Sequence, residues 1–213
     1  MRLNIRCYIA GAGEFIDRTA PQQDDFIIAA DAGYMELKTR GIIPDLVIGD
    51  FDSLGSAPQH PNVILCPEEK DDTDMMLAVK QGLARGFKTF IINGGLGGRL
   101  DHTLANIQIL VNIAKRGARG VILGRDICVT AIANGAARFS SDASGYISVF
   151  SANEISEGVT LTGLKYPLDG ATLTCDYPLG VSNEFTGKPA TVEVRAGVLI
   201  ITWAGELEAL VGF

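Results

Sequence analysis

Short apolar runs alternate with helix-like segments along residues 1–135, and this alternation restricts the fold more than any other feature of the chain. The strand-like runs cover residues 3–10, 26–30, 46–48, 63–65 and 89–92. Segments with the 3.6-residue spacing of a helix follow three of these runs. Such an order is typical of a parallel sheet covered by helices. The sequence therefore predicts an α/β domain over residues 1–135.

The pattern changes beyond residue 127, where short strand-like runs are separated by Gly, Asn, Asp and Pro. These runs cover residues 146–150, 158–161, 171–174, 191–194 and 198–202. Helical spacing is not convincing here before the last residues. We predict an all-β second domain over residues 136–213.

The composition favours a protein that binds small molecules. A length of 213 residues and a hydrophobic content of 47% can fill one large core or two small ones. A nucleic-acid surface would need a basic stripe, and the formal net charge is -7. We therefore predict no nucleic-acid partner.

Cysteines and hydropathy predict a cytoplasmic protein. The four cysteines show no C-x-x-C spacing, so neither a zinc site nor a disulfide framework is indicated. Arg2 and Arg6 are not followed by the apolar run of a signal peptide, and no stretch approaches the ~18 apolar residues that a membrane span requires.

Acidic residues are concentrated in the middle of the chain. Between residues 45 and 74 there are eight carboxylates and one basic side chain, that of Lys70. Asp50 and Asp52 follow a predicted strand, at the edge where open α/β sheets bind ligands. Two carboxylates at this spacing point to one side and can share a hard cation, although an Asp-Ser turn is the alternative. A second acidic cluster favours the metal site.

That second cluster is Asp71-Asp72-Thr73-Asp74, at the start of a predicted helix. Thr73 or a neighbouring Asp is predicted to cap the helix, and Asp71 and Asp74 to lie on one side of its first turn. Ordinary capping explains some of these acids, but three in four positions exceed what a cap needs. We select Asp74 as a metal ligand and expect Asp72 to face solvent.

The glycine-rich segment 94–99 stands between a predicted strand and a predicted helix. It matches neither the P-loop nor the strict G-x-G-x-x-G pattern, so a generic glycine turn is one interpretation. The other is a phosphate site, in which Arg99 binds phosphate and Asp101 binds a metal or water. His102 is interpreted as a structural hydrogen-bonding residue.

Other candidate residues carry weaker signals. Gly11 and Gly13 are consistent with close approach of a nucleotide, and Asp31 either lines the same crevice or caps the next helix. Tyr166 and Trp203 are interpreted as core or interface aromatics, unless the substrate is a flat heterocycle that needs a stacking face.

The predicted helices also have predicted apolar faces. That of the second helix comprises Met76, Val79 and Leu83. That of the third comprises Leu104, Ile107, Val111 and Ala114.

Taken in order, these motifs closely resemble those of the thiamine pyrophosphokinase family. They comprise residues 31–33, 44–53, 71–74, 94–102, 163–166 and 180–184. The resemblance implies a three-layer α/β/α Rossmann-like domain with a mostly parallel sheet, followed by a C-terminal β-sandwich-like domain. It also implies a homodimer with its thiamine sites at the subunit interface. The implied reaction transfers the β,γ-pyrophosphoryl group of ATP to thiamine, giving thiamine diphosphate and AMP.

The resemblance also implies the residues of the site. Its magnesium ligands would be Asp50, Asp52 and Asp74, with Asp101 and Asp71 in support. Its nucleotide and phosphate contacts would come from Asp31, Thr73, Gly97, Gly98 and Arg99. Its thiamine contacts would come from Tyr166, Ser182 and Asn183.

Several alternatives stay open. One of Asp71, Asp74 and Asp101 is a candidate general base, although a carboxylate bound to magnesium is a poor base and no single base has to be essential. Related catalytic domains also resemble pterin pyrophosphokinases. A regulator that binds nucleotide or thiamine without catalysis is the alternative outside enzymes.

Overall fold

The computed structural model describes residues 5–51, 58–67 and 69–213 and divides the chain into two compact units. The first unit comprises the chain up to Ile109 together with Ile122–Arg125. The second comprises Leu110–Val121 and Asp126–Phe213. One helix and one strand therefore contribute residues to both units.

The first unit is built on a parallel sheet. Its strands are β1 (Cys7–Ala10), β2 (Phe26–Ala30), β3 (Leu46–Gly49), β4 (Val63–Leu65) and β5 (Thr89–Asn93). They lie in the order β5-β1-β2-β3-β4, and every pairing between them is parallel. The predicted parallel sheet is thus confirmed for these strands. The predicted start of the first strand is wrong, because Ile5 and Arg6 precede β1 and are not in strand conformation.

Three helices follow strands of this sheet: α1 (Gly33–Thr39), α2 (Asp74–Ala84) and α3 (Leu100–Lys115). The α3 residues from Leu110 onward belong to the second unit. The cap predicted for α2 is confirmed, since Thr73 Oγ1 accepts a hydrogen bond of 3.2 Å from the Met76 amide. None of the helices in the described ranges is long and apolar enough to cross a membrane.

The predicted apolar faces of α2 and α3 are confirmed in part, because Val79 and Ala114 are buried as predicted. The other predicted residues are less buried: Met76, Leu83, Ile107 and Val111 are half-buried and Leu104 is exposed. In α2 the buried residues are Met75, Ala78, Val79 and Gly82. In α3 the buried residues are Asn106, Ile109, Leu110, Ile113 and Ala114, whereas Leu104 is 56% exposed. Both helices carry apolar residues on several sides, so the helical period alone fits more than one face.

The second unit is largely antiparallel. Its strands are β7 (Ile127–Ala133), β8 (Ala136–Phe139), β9 (Tyr146–Ser151), β10 (Ile155–Thr162), β11 (Leu168–Thr174), β12 (Gly180–Glu184), β13 (Ala190–Ala196) and β14 (Val198–Ala204). One sheet includes the order β12-β9-β14-β7 and the other has the order β11-β10-β13-β8. Strand β6 (Arg119–Leu123) is divided between the units. The strand-rich second part was correctly predicted, and Trp203 is fully buried in it.

Candidate active site

A cleft of about 320 Å³ lies in the first unit, where strands β1, β2 and β5 end and helices α2 and α3 begin. Its lining includes six glycines and few bulky side chains. The residues around it are Gly11, Ala12, Gly13, Ala30, Asp31, Thr73, Asp74, Met75, Gly94, Gly95, Gly97, Gly98, Arg99, His102, Ala105 and Asn106. The carboxyl ends of parallel strands are where α/β sheets bind ligands.

The chain turns after β1 and after β5 approach each other too closely for any side chain. A Cβ on Gly11 would lie 2.7 Å from the carbonyl oxygen of Gly94, and a Cβ on Gly94 would lie 2.4 Å from that of Gly11. Gly94 also has a φ of +70°, which favours glycine. The two turns are further joined by a 2.8 Å hydrogen bond from the Gly13 amide to the Gly94 carbonyl. Glycine is therefore required at these positions to form the floor of the cleft.

Two buried asparagines fix these turns. Asn93 is fully buried, and its Nδ2 donates to Tyr8 Oη and to the Ile16 carbonyl, both at 2.8 Å, while its Oδ1 accepts from the Ile16 amide. At the start of α3, Asn106 Nδ2 donates to the Gly95 carbonyl at 2.8 Å. Buried side-chain amides that hydrogen-bond to nearby backbone groups in this way hold the backbone in one conformation.

Beside the cleft, two carboxylates converge on one ammonium group. Lys70 Nζ lies 2.6 Å from Asp50 Oδ2 and 3.0 Å from Asp74 Oδ1. The three side chains are between 13% and 18% exposed. Asp50 follows β3 and Asp74 begins α2, so the contact joins the two acidic clusters that the sequence places 24 residues apart.

The electrostatics of this cluster reflect its burial. Burial raises the pKa of the Asp74 carboxyl above its ordinary value, and the nearby Lys70 ammonium opposes that effect without cancelling it. Burial also acts to lower the pKa of Lys70, but its contacts with Asp50 and Asp74 outweigh burial, so the net pKa of Lys70 is raised. The ammonium is thus held in its charged form by the two carboxylates.

The backbone next to the carboxylates adopts unusual conformations. Asp31, at the end of β2, has a φ of +48°, and Phe51, after Asp50, has a φ of +58°. Phe51 is 1% exposed and packs against Val47 and other core residues. The Asp31 amide donates to the Ile48 carbonyl at 2.8 Å, which ties the two strand ends together. A left-handed backbone conformation destabilises a non-glycine residue by about 1–3 kcal/mol, and such residues cluster at functional sites.

Of the two positions predicted for Asp31, the structure shows the one in the crevice and not the helix cap. The residue at the cap position of α1 is Ala32, and no side chain makes the cap hydrogen bond there. Asp31 instead lines the cleft.

Arg99 and Asp101 form an exposed ion pair at the start of α3. Arg99 Nη2 lies 2.6 Å from Asp101 Oδ2, and the two side chains are 72% and 64% exposed. This contact lowers the pKa of Asp101 and raises that of Arg99. Arg99 and His102 line the cleft, whereas Asp101 is not among the lining residues.

The predicted magnesium ligands are only partly assembled among the residues that the structure describes. Asp50 and Asp74 share Lys70, and Asp52 lies outside the described residues. Within the described ranges, no group of three or more His, Cys, Asp or Glu side chains could hold a metal ion. Magnesium in nucleotide sites needs only one or two protein carboxylates, because waters and phosphates complete its shell. Two carboxylates that already converge on a cation therefore fit this ion.

Asp71 occupies a different position from the one predicted. It is exposed and precedes the cap residue Thr73, so the prediction that it lies in the first turn of α2 is wrong. Thr73 has an extended backbone, with φ and ψ of -70° and 156°, and the chain before it is not helical. Asp72 forms an ion pair of 2.5 Å with Lys80 on the surface of α2.

The residues predicted to contact thiamine lie in the second unit. Asn183 is buried, its Oδ1 accepts from the Tyr166 amide at 3.0 Å, and its Nδ2 donates to the Tyr166 carbonyl at 2.7 Å. Tyr166 is 57% exposed, with Lys165 Nζ 5.4 Å from its ring centroid. Ser182 has a φ of +60° on a strand whose register with β9 shifts at this point. Asn183 thus fixes the backbone that presents an exposed aromatic ring.

The structure adds residues that sequence reasoning did not select. Sequence reasoning distinguishes Lys70 only as the single base among acids, although its four-residue spacing from Asp74 is a usable signal. Asn106 and Met75 also line the cleft. Nothing in the sequence distinguished them from ordinary helix residues.

Both parts of the chain match family models. The model described as "Thiamin pyrophosphokinase, catalytic domain" matches residues 18–122, and "Thiamin pyrophosphokinase, vitamin B1 binding domain" matches residues 138–199. Thiamine pyrophosphokinase of Bacillus subtilis is 32% identical over 181 residues, which cover 82% of this chain and 85% of that protein. Thiamin pyrophosphokinase 1 of Caenorhabditis elegans is 24% identical over 204 residues, which cover 86% and 82% of the two chains.

Solved structures agree with these matches. The crystal structure of thiamine pyrophosphokinase from Bacillus subtilis aligns with a TM-score of 0.81 and 29% identity, covering 95% of this chain and 100% of that one. Thiamin pyrophosphokinase from Geobacillus thermodenitrificans aligns with a TM-score of 0.81 and 27% identity, covering 97% and 100%.

Proposed function

The chain belongs to the thiamine pyrophosphokinase family, and from this membership we propose that the cleft of its first unit is the site of pyrophosphoryl transfer. The family reaction moves the β,γ-pyrophosphoryl group of ATP to the hydroxyl of thiamine, giving thiamine diphosphate and AMP. The chain is accordingly an enzyme with ATP and thiamine as its substrates.

One observation carries the assignment of the site. The carboxylates of Asp50 and Asp74 converge on a single cation position beside a cleft lined by glycines, at the carboxyl edge of a parallel sheet. Backbone turns without side chains allow phosphates to approach closely, and carboxylates supply the hard oxygen ligands of magnesium. The first unit is therefore proposed to bind the triphosphate.

Asp50 and Asp74 are proposed to hold magnesium, with Asp52 and Asp101 as the other proposed ligands. When bound there, magnesium would neutralise negative charge on the phosphates of ATP and so favour attack at the β-phosphorus. Arg99 is proposed to contact phosphate, because it is exposed at a helix start on the rim of the cleft. Asp71 is retained as a supporting acid.

Around these acids, further groups are proposed to position ATP. Asp31, Thr73, Gly97 and Gly98 line the cleft and are proposed to contact the nucleotide. A bound metal and Arg99 would neutralise charge on the phosphates, so the residues of this chain are proposed to contribute mainly by positioning the substrates. A dedicated general base is not required by this proposal.

Thiamine is proposed to bind through the second unit. Tyr166 presents an exposed ring suited to stacking on a flat heterocycle, and Asn183 holds its backbone. Ser182 is proposed as a contact because its strained backbone is of the kind that clusters at ligand sites. We further propose a homodimer in which each thiamine site is completed by the partner subunit.

The finer architecture and location are also proposals. The first domain is proposed to be a three-layer Rossmann-like domain over residues 1–135, and the second a β-sandwich-like domain over residues 136–213. The cytoplasm is proposed as the location, in keeping with four cysteines that lack paired spacing.

Product analysis by phosphorus NMR tests the proposed reaction. Incubation with ATP, magnesium and thiamine is expected to give thiamine diphosphate and AMP in equal amounts, and chelation of the metal is expected to stop turnover. ADP with thiamine monophosphate would instead identify a simple kinase. A product only with hydroxymethyl pterin would identify a pterin pyrophosphokinase, and binding without any product would identify a regulator.

A further inference from the structure

Lys70 lies where the metal proposed above would have to bind. Its ammonium contacts Asp50 Oδ2 at 2.6 Å and Asp74 Oδ1 at 3.0 Å, so it occupies the point on which both carboxylates converge. The contact with Asp50 is a hydrogen bond, and the contact with Asp74 is an ion pair. A divalent cation bound by the same oxygens would meet this side chain.

The position of Lys70 is built into the fold. The chain before it is tied to the end of β3, because the Cys66 amide donates to the Gly49 carbonyl at 2.9 Å. The chain after it is fixed by the Thr73 cap of α2. Lys70 is also only 13% exposed, unlike the surface Lys80, which is 49% exposed. These restraints keep its ammonium near the two carboxylates.

Electrostatic repulsion between Asp50 and Asp74 favours a cation between them. Two partly desolvated carboxylates repel each other, and a cation between them relieves the repulsion. Lys70 provides one positive charge and magnesium provides two, for the same oxygens. The Lys70 ammonium stabilises the carboxylate pair in the absence of metal, and it therefore competes with a metal ion for the same oxygens.

We propose that Lys70 is the internal counter-ion of the Asp50 and Asp74 carboxylates and competes with the divalent cation for them. The inference rests on the proposed metal role of these two acids. Lys70 holds the pair together in metal-free protein, and its ammonium leaves the shared position when the ion binds. The resulting competition weakens the binding of metal in the absence of nucleotide.

Titration with Mn²⁺ alone, followed by electron paramagnetic resonance, tests the competition without any turnover. Lys70→Met is expected to bind Mn²⁺ at least about tenfold more tightly than the wild type, because the competing charge is gone. Lys70→Arg keeps the charge and is expected to stay within about threefold of the wild type. Lys80→Met, which removes a surface ion pair near the same helix, is the matched control and is expected to leave binding unchanged. Equal or weaker binding by Lys70→Met would overturn the inference.

Thermal unfolding provides a second readout. In chelator, Lys70→Met is expected to have a lower Tm than the wild type, and saturating Mn²⁺ is expected to raise its Tm by more than it raises that of the wild type. An equal or smaller rise would contradict the proposal. Lys70→Gln serves the same purpose if the methionine variant does not fold.

Variants of the acids separate this inference from the proposed function. Weaker Mn²⁺ binding in both Asp50→Asn and Asp74→Asn supports the metal role of the acids. If they weaken binding while Lys70→Met matches the wild type, only the role of Lys70 fails. If neither weakens it, the proposed metal site itself fails.

Discussion

The two units use their polar residues in opposite ways. In the first, parallel strands end at one edge, where glycine turns and Asp74 line a cleft and the carboxylates of Asp50 and Asp74 converge on Lys70. In the second, antiparallel sheets engage a polar side chain such as Asn183 in hydrogen bonds to the backbone, while the ring of Tyr166 is left exposed. A charged, flexible triphosphate needs converging charge and open backbone, whereas a flat heterocycle needs a rigid ring and a fixed loop. The difference agrees with the proposal that the first unit binds the nucleotide and the second binds thiamine. Variants in each unit can test this.

The largest effect is expected from the carboxylate that begins α2. Asp74→Asn removes one of the two charges that converge beside the cleft, and kcat for AMP formation is expected to fall about 10²–10³-fold, as when several kcal/mol of charge stabilisation is lost. Initial rates at saturating ATP and thiamine measure this.

Asp72→Asn is the matched control for that variant. Asp72 is two residues away and pairs with Lys80 on the surface, so its loss is expected to change kcat less than about threefold. Equal losses in the two variants would mean that the acidic segment acts as a whole, and the comparison would fail.

Two buried phenylalanines compare the units by stability. Phe51 and Phe139 are each 1% exposed, one in each unit. Replacing either by Ala is expected to lower the free energy of unfolding by about 3–5 kcal/mol. Only Phe51→Ala is expected also to raise the KM for ATP, because Phe51 anchors the strained turn that carries Asp50. Denaturant unfolding and steady-state kinetics measure both effects, and an unchanged KM in Phe51→Ala would remove the proposed anchoring role.

A smaller effect is expected in the second unit. Asn183→Ala leaves the backbone groups of Tyr166 without their side-chain partner, at a cost of about 1–3 kcal/mol in stability. The KM for thiamine is expected to rise while that for ATP stays constant. Thr186→Val, which removes an exposed hydrogen bond to Gly163, is the control. A change in the KM for ATP alone would reverse the assignment of the two units.

The smallest effect concerns the support beneath the cleft. Burial raises the pKa of Tyr8 from 10.0 to about 12, despite the opposing hydrogen bond from Asn93. Its contribution to stability is complete below pH 10 and is lost as the pH rises to about 12, because the unfolded chain ionises first. Tyr8→Phe is expected to show a shallower loss of stability over this window. Parallel curves for the two proteins would contradict a raised pKa of Tyr8 in the folded protein.

The sequence predicted the strands of the first unit well, because buried parallel strands are continuous apolar runs bounded by turns. It predicted the cap at Thr73 for the same local reason, since capping depends on neighbouring residues only. The buried faces of α2 and α3 were predicted only in part, with Val79 and Ala114 buried but Leu104 exposed. Helices with apolar residues on several sides are oriented by packing rather than by their own pattern.

Contacts between distant residues explain what the sequence left out of the site. The meeting of Asp50 with Lys70 depends on how the chain returns after β4, which local patterns do not encode. The left-handed backbone conformation of Asp31 and Phe51 could not be predicted from the sequence either, since neither residue is glycine. The order of the motifs was enough to identify the acids and glycines of the site. The distances between them could be obtained only from the folded structure.

The central claim is that the first unit binds the nucleotide and the second binds thiamine. Calorimetric titration of Asp74→Asn and Asn183→Ala with each substrate, in the presence of magnesium, tests it most directly. Asp74→Asn is expected to weaken ATP binding at least about tenfold and to leave thiamine binding unchanged, and Asn183→Ala is expected to do the reverse. If both variants weakened both substrates equally, the division of work between the units would be wrong.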